Sequence, residues 1–593
     1  MPHETPSNTW WRTWRAPLLV AAVALAVRLG ALWALSGTLY WDNLLWDEEY
    51  YHQWAAEIAG GGARFADIYK AAPAPAYLFA AAYAVAGPNP QVLRALSLAA
   101  GTGLCVLLYL VALRLFDRRA ALIAGLAAAV YGPLLLFSAV PLKEVWGALA
   151  LAAVAWAAIA GWDEPSPRRL GLLGLLAGLT AVTRPNTLAL LPVLAAIAFA
   201  ARRRAVRSTP RALLGPAALG LGCAIALAPF VVRNWAVAGE PVIATSQVGF
   251  NFRVANDPDD PYPFFRPSAH ASGSPFDEGI QFTIEARRRA GRRLTTAEAS
   301  RYWLRDTLDD AARRPGAFAS RLGEKLAVLL SRSETCDHYD LLFLASLRPF
   351  FGAPWLGFGA ILPLALAGAI AAWRDRRVRA LAAIAATYAA TLVIFFTTDR
   401  YRAALAAILI PLAAGGALAI ADLARARRFR PLAALLAAAL LVGAVQRIPY
   451  RGEGDLTAMW NGYAFFLRRA GRTGEAIAYW ERSAAAAGPF SDNAAQSLAS
   501  IALDRGDTAL ARRWLSRVGD ASAMGALKHE LLGDIAGRAG DAAGAIAEYE
   551  RSVAINSGRE GPWVKLVQLY APRDRERALA AHTRLLEVRS FYR

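Results

Sequence analysis

The sequence predicts an all-α fold: a polytopic membrane bundle of about eleven spans, a helical segment on its outer face, and a C-terminal α-solenoid. Three observations predict it. The 593 residues are 56% hydrophobic and have a mean hydropathy of +0.31. The apolar residues gather in runs of roughly 17–25, the length that crosses the hydrocarbon core of a bilayer. Near the C-terminus, turn-like phrases recur about every 34 residues.

The apolar runs define the predicted spans. The fifth and sixth are short, and Thr183-Arg184-Pro185-Asn186 between them suggests a tight hairpin at a membrane surface. The predicted spans lie near 17–39, 90–114, 119–138, 144–161, 169–183, 186–201, 212–234, 351–373, 378–397, 403–424 and 430–447.

Arginine clusters orient these spans. The formal net charge is +19, and the arginines are concentrated in every other loop, as the positive-inside rule requires. We therefore place residues 1–16 in the cytoplasm, a membrane domain at 17–447 with a large outer loop at 235–350, and residues 448–593 outside. This explains the positive charge without a nucleic-acid partner, and it makes cytoplasmic nucleotide donors unsuitable. The clusters are Arg12/Arg15, Arg114/Arg118/Arg119, Arg168/Arg169, Arg202/Arg203/Arg204/Arg207, Arg374/Arg376/Arg377/Arg379 and Arg425/Arg427/Arg428/Arg430.

The large outer loop contains helix signals. Thr295-Thr296-Ala297-Glu298 is a capping-box pattern that predicts a helix over about 296–313. Pro315 suits the first turn of a further helix, about 316–332.

Residues 448–593 are predicted to form tetratricopeptide-like repeats. Helix–turn–helix phrases of this period build an extended concave surface that can bind a peptide or protein. A packing module that holds a complex together is the alternative. The phrases begin at Ala470, Arg505, Ala539 and Pro572.

Acidic residues mark the first outer loop. Trp46-Asp47-Glu48-Glu49-Tyr50-Tyr51-His52 follows the first span, and desolvating a carboxylate is costly unless it has a partner or a task. Asp47 and Glu48 are candidates for a general base, against the alternative of a solvated loop. In the second outer loop, Glu144 is a candidate second acid for positioning or for a metal, against a simple residue at a membrane end.

Several basic residues lie on the same outer side. Lys70 could bind a phosphate or merely extend to the interface. Arg184 and Arg233 oppose the positive-inside trend, while Arg400 and Arg402 suit bidentate contact with a lipid phosphate or ion pairs with the acids. Arg28, within the first span, should face the bundle and pair with an acid.

No metal site is predicted with defined ligands. His52 and His338 lie near carboxylates in the sequence, but neither has a ligand spacing that distinguishes it from an ordinary surface or core histidine. The sequence indicates no defined cofactor, and a divalent metal ion is the one candidate that it leaves. The three cysteines give no disulfide framework.

In these motifs the chain resembles the GT-C glycosyltransferases, namely the protein O-mannosyltransferases and the lipid A aminoarabinose transferases. The resemblance covers roughly residues 15–447. No single motif is specific to these families, but the order of the motifs and their shared outer location are. It rests on Asp47-Glu48 with Tyr50/Tyr51, Lys70…Pro73, Glu144, Thr183-Arg184-Pro185, Gly249-Phe250-Asn251-Phe252, Ser333-Glu334…Asp340 and Arg400-Tyr401-Arg402.

The resemblance implies a donor sugar carried on a polyprenyl phosphate, with the first-loop aspartate, here Asp47, as the base. It implies phosphate contact by Lys70, Arg400 and Arg402, and it adds Asn251 and Tyr401 to the candidate substrate-binding residues. The chain departs from the family in Lys70-Ala71-Ala72-Pro73, where proline more often follows the lysine directly.

The expected function is therefore sugar transfer from a polyprenyl-phosphate lipid to a protein, lipid or glycan acceptor on the periplasmic face of a bacterial inner membrane. A non-catalytic scaffold that recruits envelope proteins through the repeats is the alternative. A transporter agrees less well, because the polar groups gather at one face and no repeat relates the spans.

Overall fold

Helices make up the regular secondary structure of this computed structural model, which describes residues 6–62, 68–271 and 273–592; within these ranges there is no β-sheet, only one isolated bridge between Tyr131 and Leu356. The predicted all-α fold is confirmed. The first ten helices are α1 Pro6–Ser36, α2 Trp46–Ala59, α3 Pro73–Ala86, α4 Pro90–Leu115, α5 Arg118–Val130, α6 Gly132–Phe137, α7 Glu144–Asp163, α8 Pro167–Thr183, α9 Leu191–Val206 and α10 Thr209–Ala238.

The later helices follow the predicted order of outer segment, spans and C-terminal pairs. They are α11 Val248–Ala255, α12 Glu278–Ala290, α13 Thr296–Arg313, α14 Pro315–Leu330, α15 Leu341–Leu347, α16 Phe358–Ala371, α17 Arg376–Ile394, α18 Asp399–Arg425 and α19 Phe429–Val445. The C-terminal helices are α20 Thr457–Arg469, α21 Thr473–Ala485, α22 Ser491–Asp504, α23 Thr508–Leu515, α24 Gly525–Arg538, α25 Ala542–Ile555, α26 Glu560–Tyr570 and α27 Arg575–Tyr592.

The chain divides into two compact units. The first comprises Met1–Thr245 and Ala319–Gly454, and the second comprises Ser246–Phe318 and Asp455–Arg593. Part of the long outer loop thus packs with the C-terminal helices: the Asn556 amide donates to Gln281 Oε1 at 3.2 Å, and Val588 packs with Ile280 and Ile284 of α12.

The helices of the first unit have the length and composition of a multi-pass membrane protein. Among the described residues, seven helices are long and apolar enough to span a bilayer, and three shorter apolar helices accompany them. All eleven predicted spans fall on helical segments. The number that crosses the membrane, and the orientation, stay predictions.

The third predicted span, 119–138, is shorter than expected. Helix α5 ends at Val130, and α6 begins at Gly132. Pro133 lacks the N–H that a continuous helix needs at this point. The backbone at the break pairs instead with residue 356, with Gly132 N–H donating to Leu356 O at 2.9 Å and Leu356 N–H donating to Val130 O at 3.0 Å.

Small residues let the helices of this unit approach closely. A Cβ on Gly368 of α16 would lie 2.0 Å from the Leu412 carbonyl of α18, and one on Gly416 of α18 would lie 2.0 Å from the Leu364 carbonyl. Such contacts bring backbones together where lipid supplies no hydrophobic drive. The residues of α18 from Asp399 to Gly416 are mostly buried.

Arg28 is buried in α1, as predicted, but its partners differ from the prediction. Its Nε donates to Ser138 Oγ at 3.1 Å and its Nη1 to the Ala24 carbonyl at 3.3 Å. The Arg28 guanidinium therefore donates to a hydroxyl and to a carbonyl of its own helix, and not to an acid. The hydroxyl is available because Ser138, at the end of α6, lies against α1.

Both helix predictions in the outer segment are confirmed. The α13 helix begins at Thr296 and ends at Arg313. Glu298 N–H donates to Thr295 Oγ1 at 3.1 Å, and Thr295 N–H donates to Glu298 Oε2 at 2.8 Å, which is the reciprocal capping box. The α14 helix begins at Pro315.

The C-terminal helices form four successive pairs. The pairs begin at Thr457, Ser491, Gly525 and Glu560, so their starting residues are 34, 34 and 35 positions apart. Helix pairs with the predicted spacing are thus present. That they are tetratricopeptide repeats, and that they bind a partner, stay predictions.

Candidate active site

Arg400 lies at the centre of a buried ionic cluster in the first unit. Its Nη2 is 2.6 Å from Asp47 Oδ2, and its Nε is 3.0 Å from Glu144 Oε1. Its Nη1 is 3.3 Å from Asp337 Oδ2 and 2.9 Å from His338 Nδ1. All three guanidinium nitrogens are engaged, and the side chain is 4% exposed. One cation thus joins three carboxylates that are distant in the sequence.

The cluster forms where several helices begin. Arg400 is in the first turn of α18, Glu144 is the first residue of α7, and Asp47 is the second residue of α2. A helix N-terminus favours acids and disfavours cations. The acids are therefore favourably placed by their own helices, whereas Arg400 is stable at its position because those acids surround it.

Asp47 is the member of the cluster that solvent or substrate can reach. Its side chain is 24% exposed, against 0% for Glu144. Burial alone would raise the pKa of Asp47, but the charges of Arg400, His338 and Lys143 outweigh it, and the pKa is held below its ordinary value. Asp47 is therefore an ionised, oriented and partly accessible carboxylate.

Glu48 faces the protein interior instead. It is fully buried, with Oε1 accepting from the Tyr339 hydroxyl at 2.8 Å and Oε2 from Leu45 N–H at 3.0 Å. Burial raises its pKa, although Leu45 N–H, Arg94 and Tyr339 oppose the shift. Its contacts indicate that Glu48 fixes the start of α2 and is not presented to a substrate.

Glu144 and Arg184 complete the buried side of the cluster. Arg184 is the single residue between α8 and a 3-10 helix, Pro185–Leu190. Its Nη2 donates to the Arg400 carbonyl at 3.1 Å and lies 3.7 Å from Glu144 Oε1. The guanidinium of Arg184 and that of Arg400 both lie over the ring of Tyr401, 5.6 and 5.0 Å from its centroid. The ring of Tyr401 therefore makes a cation–π contact with each of the two guanidinium groups.

A glycine makes room for Arg184. A Cβ on Gly147, one turn into α7, would lie 2.2 Å from Arg184 Nε. The guanidinium thus lies against the α7 backbone, which holds it next to Glu144.

Lys70 belongs to a segment that is anchored close to this cluster. Tyr69 N–H donates to Asn234 Oδ1 at 3.1 Å, and the Tyr51 hydroxyl donates to the Ala72 carbonyl at 3.1 Å. Arg233, next to Asn234 on α10, lies over the Tyr69 ring at 4.2 Å. The structure therefore brings Lys70 near Tyr51 and gives Arg233 a packing contact with this segment.

Arg402 is separate from the cluster, although it is only two residues from Arg400. It is fully buried. Its Nη1 donates to the Ser331 carbonyl at 2.8 Å, and its Nη2 lies 2.5 Å from Glu334 Oε2 and donates to the Ser333 carbonyl. These contacts fix the segment before α15, and they engage Nη1 and Nη2, while Nε is buried without a hydrogen-bond partner among the described residues.

Three residues of the cluster were not among the predicted site residues. Asp337 and His338 precede α15 and lie against Arg400, and Lys143 precedes Glu144. The pKa of Asp337 would be raised by burial, but Arg400 and His338 bring it below its ordinary value. The available signals were the predicted outer position of all three residues, the carboxylates next to His338, and the Ser333–Asp340 segment of the resemblance, which contains Asp337 and His338.

Asn251, a predicted substrate-binding residue, is on α11 of the second unit. The His52 Nδ1 lies 2.8 Å from the Tyr83 hydroxyl. Within the described ranges, no group of three or more His, Cys, Asp and Glu side chains is arranged to hold a metal ion.

Residues 70–232 match the model of the dolichyl-phosphate-mannose-protein mannosyltransferase family. The predicted resemblance to the GT-C glycosyltransferases is confirmed. The matched range includes Lys70, Lys143, Glu144 and Arg184, whereas Asp47 and Arg400 lie outside it. No curated protein matches this chain.

Solved structures of an oligosaccharyltransferase from Archaeoglobus fulgidus also show similarity. The apo form is 15% identical, covers 78% of this chain and 59% of its own, and gives a TM-score of 0.39. The complex of the archaeal oligosaccharyltransferase AglB with an inhibitory peptide and a dolichol-phosphate is 16% identical, covers 79% and 59%, and gives 0.37. The chain spans 59% of the length of these structures, and TM-scores of this size carry no argument about its activity.

Proposed function

We propose that this multi-pass membrane protein transfers a sugar from a polyprenyl-phosphate donor to an acceptor hydroxyl on the periplasmic face of a bacterial inner membrane. The observation that carries the proposal is Asp47, an ionised and partly exposed carboxylate held 2.6 Å from Arg400. The family match over residues 70–232 supports a lipid-linked donor.

In this proposal Asp47 is the general base. Its carboxylate takes the proton of the acceptor hydroxyl, whose oxygen forms a bond to the anomeric carbon of the donor sugar. The bond from that carbon to the phosphate oxygen breaks, and its electron pair leaves with the polyprenyl phosphate. A single displacement of this kind inverts the anomeric configuration. A positioned base typically contributes about 10²–10⁴-fold to the rate.

Arg400 is assigned a different task from the predicted phosphate contact. Its nitrogens are engaged by Asp47, Glu144, Asp337 and His338, so it orients the base. Glu144 neutralises part of its charge from the buried side, and Arg184 holds Glu144. We therefore regard Glu144 and Arg184 as positioning residues.

The acceptor class is proposed from the second unit. Four successive helix pairs with a spacing of 34 or 35 residues form the kind of array that binds extended peptides. We propose that this unit recruits a protein acceptor or a partner protein.

The test of the base assignment compares Asp47→Asn with Asp42→Asn in vesicles that contain donor lipid. Asp42 lies in the same outer segment and is exposed, so its substitution should leave transfer intact. Asp47→Asn should lower the transfer rate by about 10²-fold or more while the donor lipid still binds. Full transfer by Asp47→Asn would exclude Asp47 as the base.

The donor class has its own test. Lipid extracts of the purified protein should contain a polyprenyl-phosphate sugar when analysed by mass spectrometry. Repeated absence of any polyprenyl lipid, with no transfer from supplied donor, would contradict the proposed function.

A further inference from the structure

The three arginines predicted to lie at the site, Arg184, Arg400 and Arg402, are buried and leave little capacity to bind a leaving phosphate. Arg400 engages all three guanidinium nitrogens with four partners. Arg402 donates to backbone carbonyls and Glu334, and Arg184 is 3% exposed and bound to the Arg400 carbonyl. The proposed donor carries a phosphate, so another cation should meet it.

Lys143 is placed to do so. It immediately precedes α7, where Glu144 begins the helix, and its side chain is half-buried. Its polar contact within the described chain is with the Tyr51 hydroxyl, at 3.5 Å, and its Nζ lies 5.3 Å from the centroid of the Tyr51 ring. Unlike Arg400, the Lys143 ammonium has no carboxylate oxygen within 4.0 Å among the described residues.

Tyr51 links Lys143 to the segment that carries Lys70. The Tyr51 hydroxyl donates to the Ala72 carbonyl at 3.1 Å, and Asn234 holds the Tyr69 N–H on the other side of Lys70. The backbone on either side of Lys70 is therefore held by Asn234 and by the phenol that Lys143 contacts.

The composition makes these two lysines unusual. Only five of the 65 basic residues are lysines, at positions 70, 143, 325, 528 and 565. Lysine offers a compact charge with three rotatable donors, whereas arginine offers a rigid fork. An ammonium on a flexible stem can follow a phosphate as its ester bond breaks.

We infer that Lys143 binds the phosphate of the lipid donor, together with Lys70, at the side of Tyr51 that faces Asp47. This inference rests on the proposed function and adds to it a phosphate-binding residue from the second outer loop. It also accounts for a phosphate site in a chain whose Lys70-Ala71-Ala72-Pro73 segment departs from the family pattern.

The electrostatics of the pocket agree with this assignment. Burial lowers the pKa of Lys143, and the nearby charge of Asp47 only partly offsets that effect. A phosphate brought next to the ammonium would favour its charged form, because an opposite charge at short range stabilises the ionised state.

The experiment measures binding of farnesyl phosphate, and of farnesol as the phosphate-free control, to the full-length protein in detergent. The variants are Lys143→Met and Lys143→Gln, with Lys143→Arg to restore charge and Lys565→Met as an exposed lysine of the second unit. Circular dichroism and the melting temperature show which variants are folded, and the use of two neutral substitutions keeps a folded one available.

We expect Lys143→Met and Lys143→Gln to raise the Kd for farnesyl phosphate at least about tenfold, which corresponds to about 1.4 kcal/mol. Farnesol binding should be unchanged, Lys143→Arg should restore part of the affinity, and Lys565→Met should match the wild type. In transfer assays the same variants should raise the KM for the donor more than they lower kcat.

Two outcomes separate this inference from the proposed function. If the wild type and both neutral variants bind farnesyl phosphate equally, the Lys143 assignment is wrong and the proposed function stands. If the wild type itself does not distinguish farnesyl phosphate from farnesol, both are wrong.

Discussion

Arg400 Nη2 lies 2.6 Å from Asp47 Oδ2, across 353 residues of sequence. The same guanidinium contacts Glu144 at the start of α7 and Asp337 before α15. One side chain of α18 therefore sets the position of the proposed base and neutralises acids from three other segments.

Arg400→Lys tests whether the geometry of the guanidinium, and not only its positive charge, is needed to position Asp47. An ammonium cannot reach Asp47, Glu144 and Asp337 with the geometry of a guanidinium, so we expect transfer to fall by about 10²-fold. Leaving buried acids unpaired costs about 3–5 kcal/mol, so the melting temperature should fall as well. Arg425→Lys, at the exposed far end of α18, is the matched control, and equal activity in both variants would contradict the positioning role.

Glu48 should tolerate glutamine but not alanine. Glutamine can still accept from Leu45 N–H and pair with the Tyr339 hydroxyl, whereas alanine leaves both buried groups without a partner, at about 1–3 kcal/mol each. Glu48→Gln should therefore retain transfer, which a catalytic base would not. Loss of transfer in folded Glu48→Gln would instead support a catalytic role for Glu48.

The pH dependence of the Glu48→Gln variant has a defined sign. Burial raises the pKa of folded Glu48 above its ordinary value of 4.5, so the folded state holds this proton more tightly than the unfolded state. The wild type then loses stability as pH rises through that window, and the glutamine variant does not. The melting temperature of Glu48→Gln minus that of the wild type should increase from pH 4 to pH 7; a constant difference would contradict the raised pKa.

Gly147→Ala should disturb the cluster from the buried side. The added Cβ would lie 2.2 Å from Arg184 Nε, so the guanidinium must move away from Glu144, at a cost of about 1–3 kcal/mol. Gly103→Ala is the control, because its Cβ would meet nothing within 4 Å in the α4 helix, and alanine there should be neutral or slightly stabilising. Thermal unfolding and transfer assays of the two variants should therefore diverge.

Arg402→Leu should act on stability and not on donor binding. The substitution leaves Glu334 without its buried partner, which costs about 3–5 kcal/mol, while the folded fraction keeps the wild-type KM for the donor. Combining it with Glu334→Gln should recover part of the stability. A raised KM in folded Arg402→Leu would support the phosphate contact that the resemblance implies.

Much of the helical architecture could be predicted from the sequence. The length of the apolar runs placed the predicted spans over helical structure, although the third is divided between α5 and α6 and the eighth begins before α16. The predicted bounds of α13 agree with the structure, and the capping box at Thr295 marks its start. The break after Val130 was missed because it depends on a bridge to Leu356, which is distant in the sequence.

The candidate site was predictable only in part. Asp47, Glu144 and Arg400 stand out in the sequence because polar residues at membrane ends are costly, and the structure brings them together. The predicted span began at residue 403, which left Arg400 and Arg402 together in one loop. In the structure α18 begins at Asp399, and positions two residues apart on a helix face different directions. One of these arginines meets the acids, and the other meets the carbonyls before α15.

The all-α membrane class, the positions of most helices and the residue types available for chemistry could be read from the sequence, because these follow from local hydrophobic periodicity and charge. Which of these side chains share a site depends on the tertiary structure. Contacts between residues that are distant in the sequence bring the first turns of α2, α7 and α18 to one buried cation. The tertiary structure also separates Asp47, which is partly exposed, from Glu48 beside it, which is turned into the core.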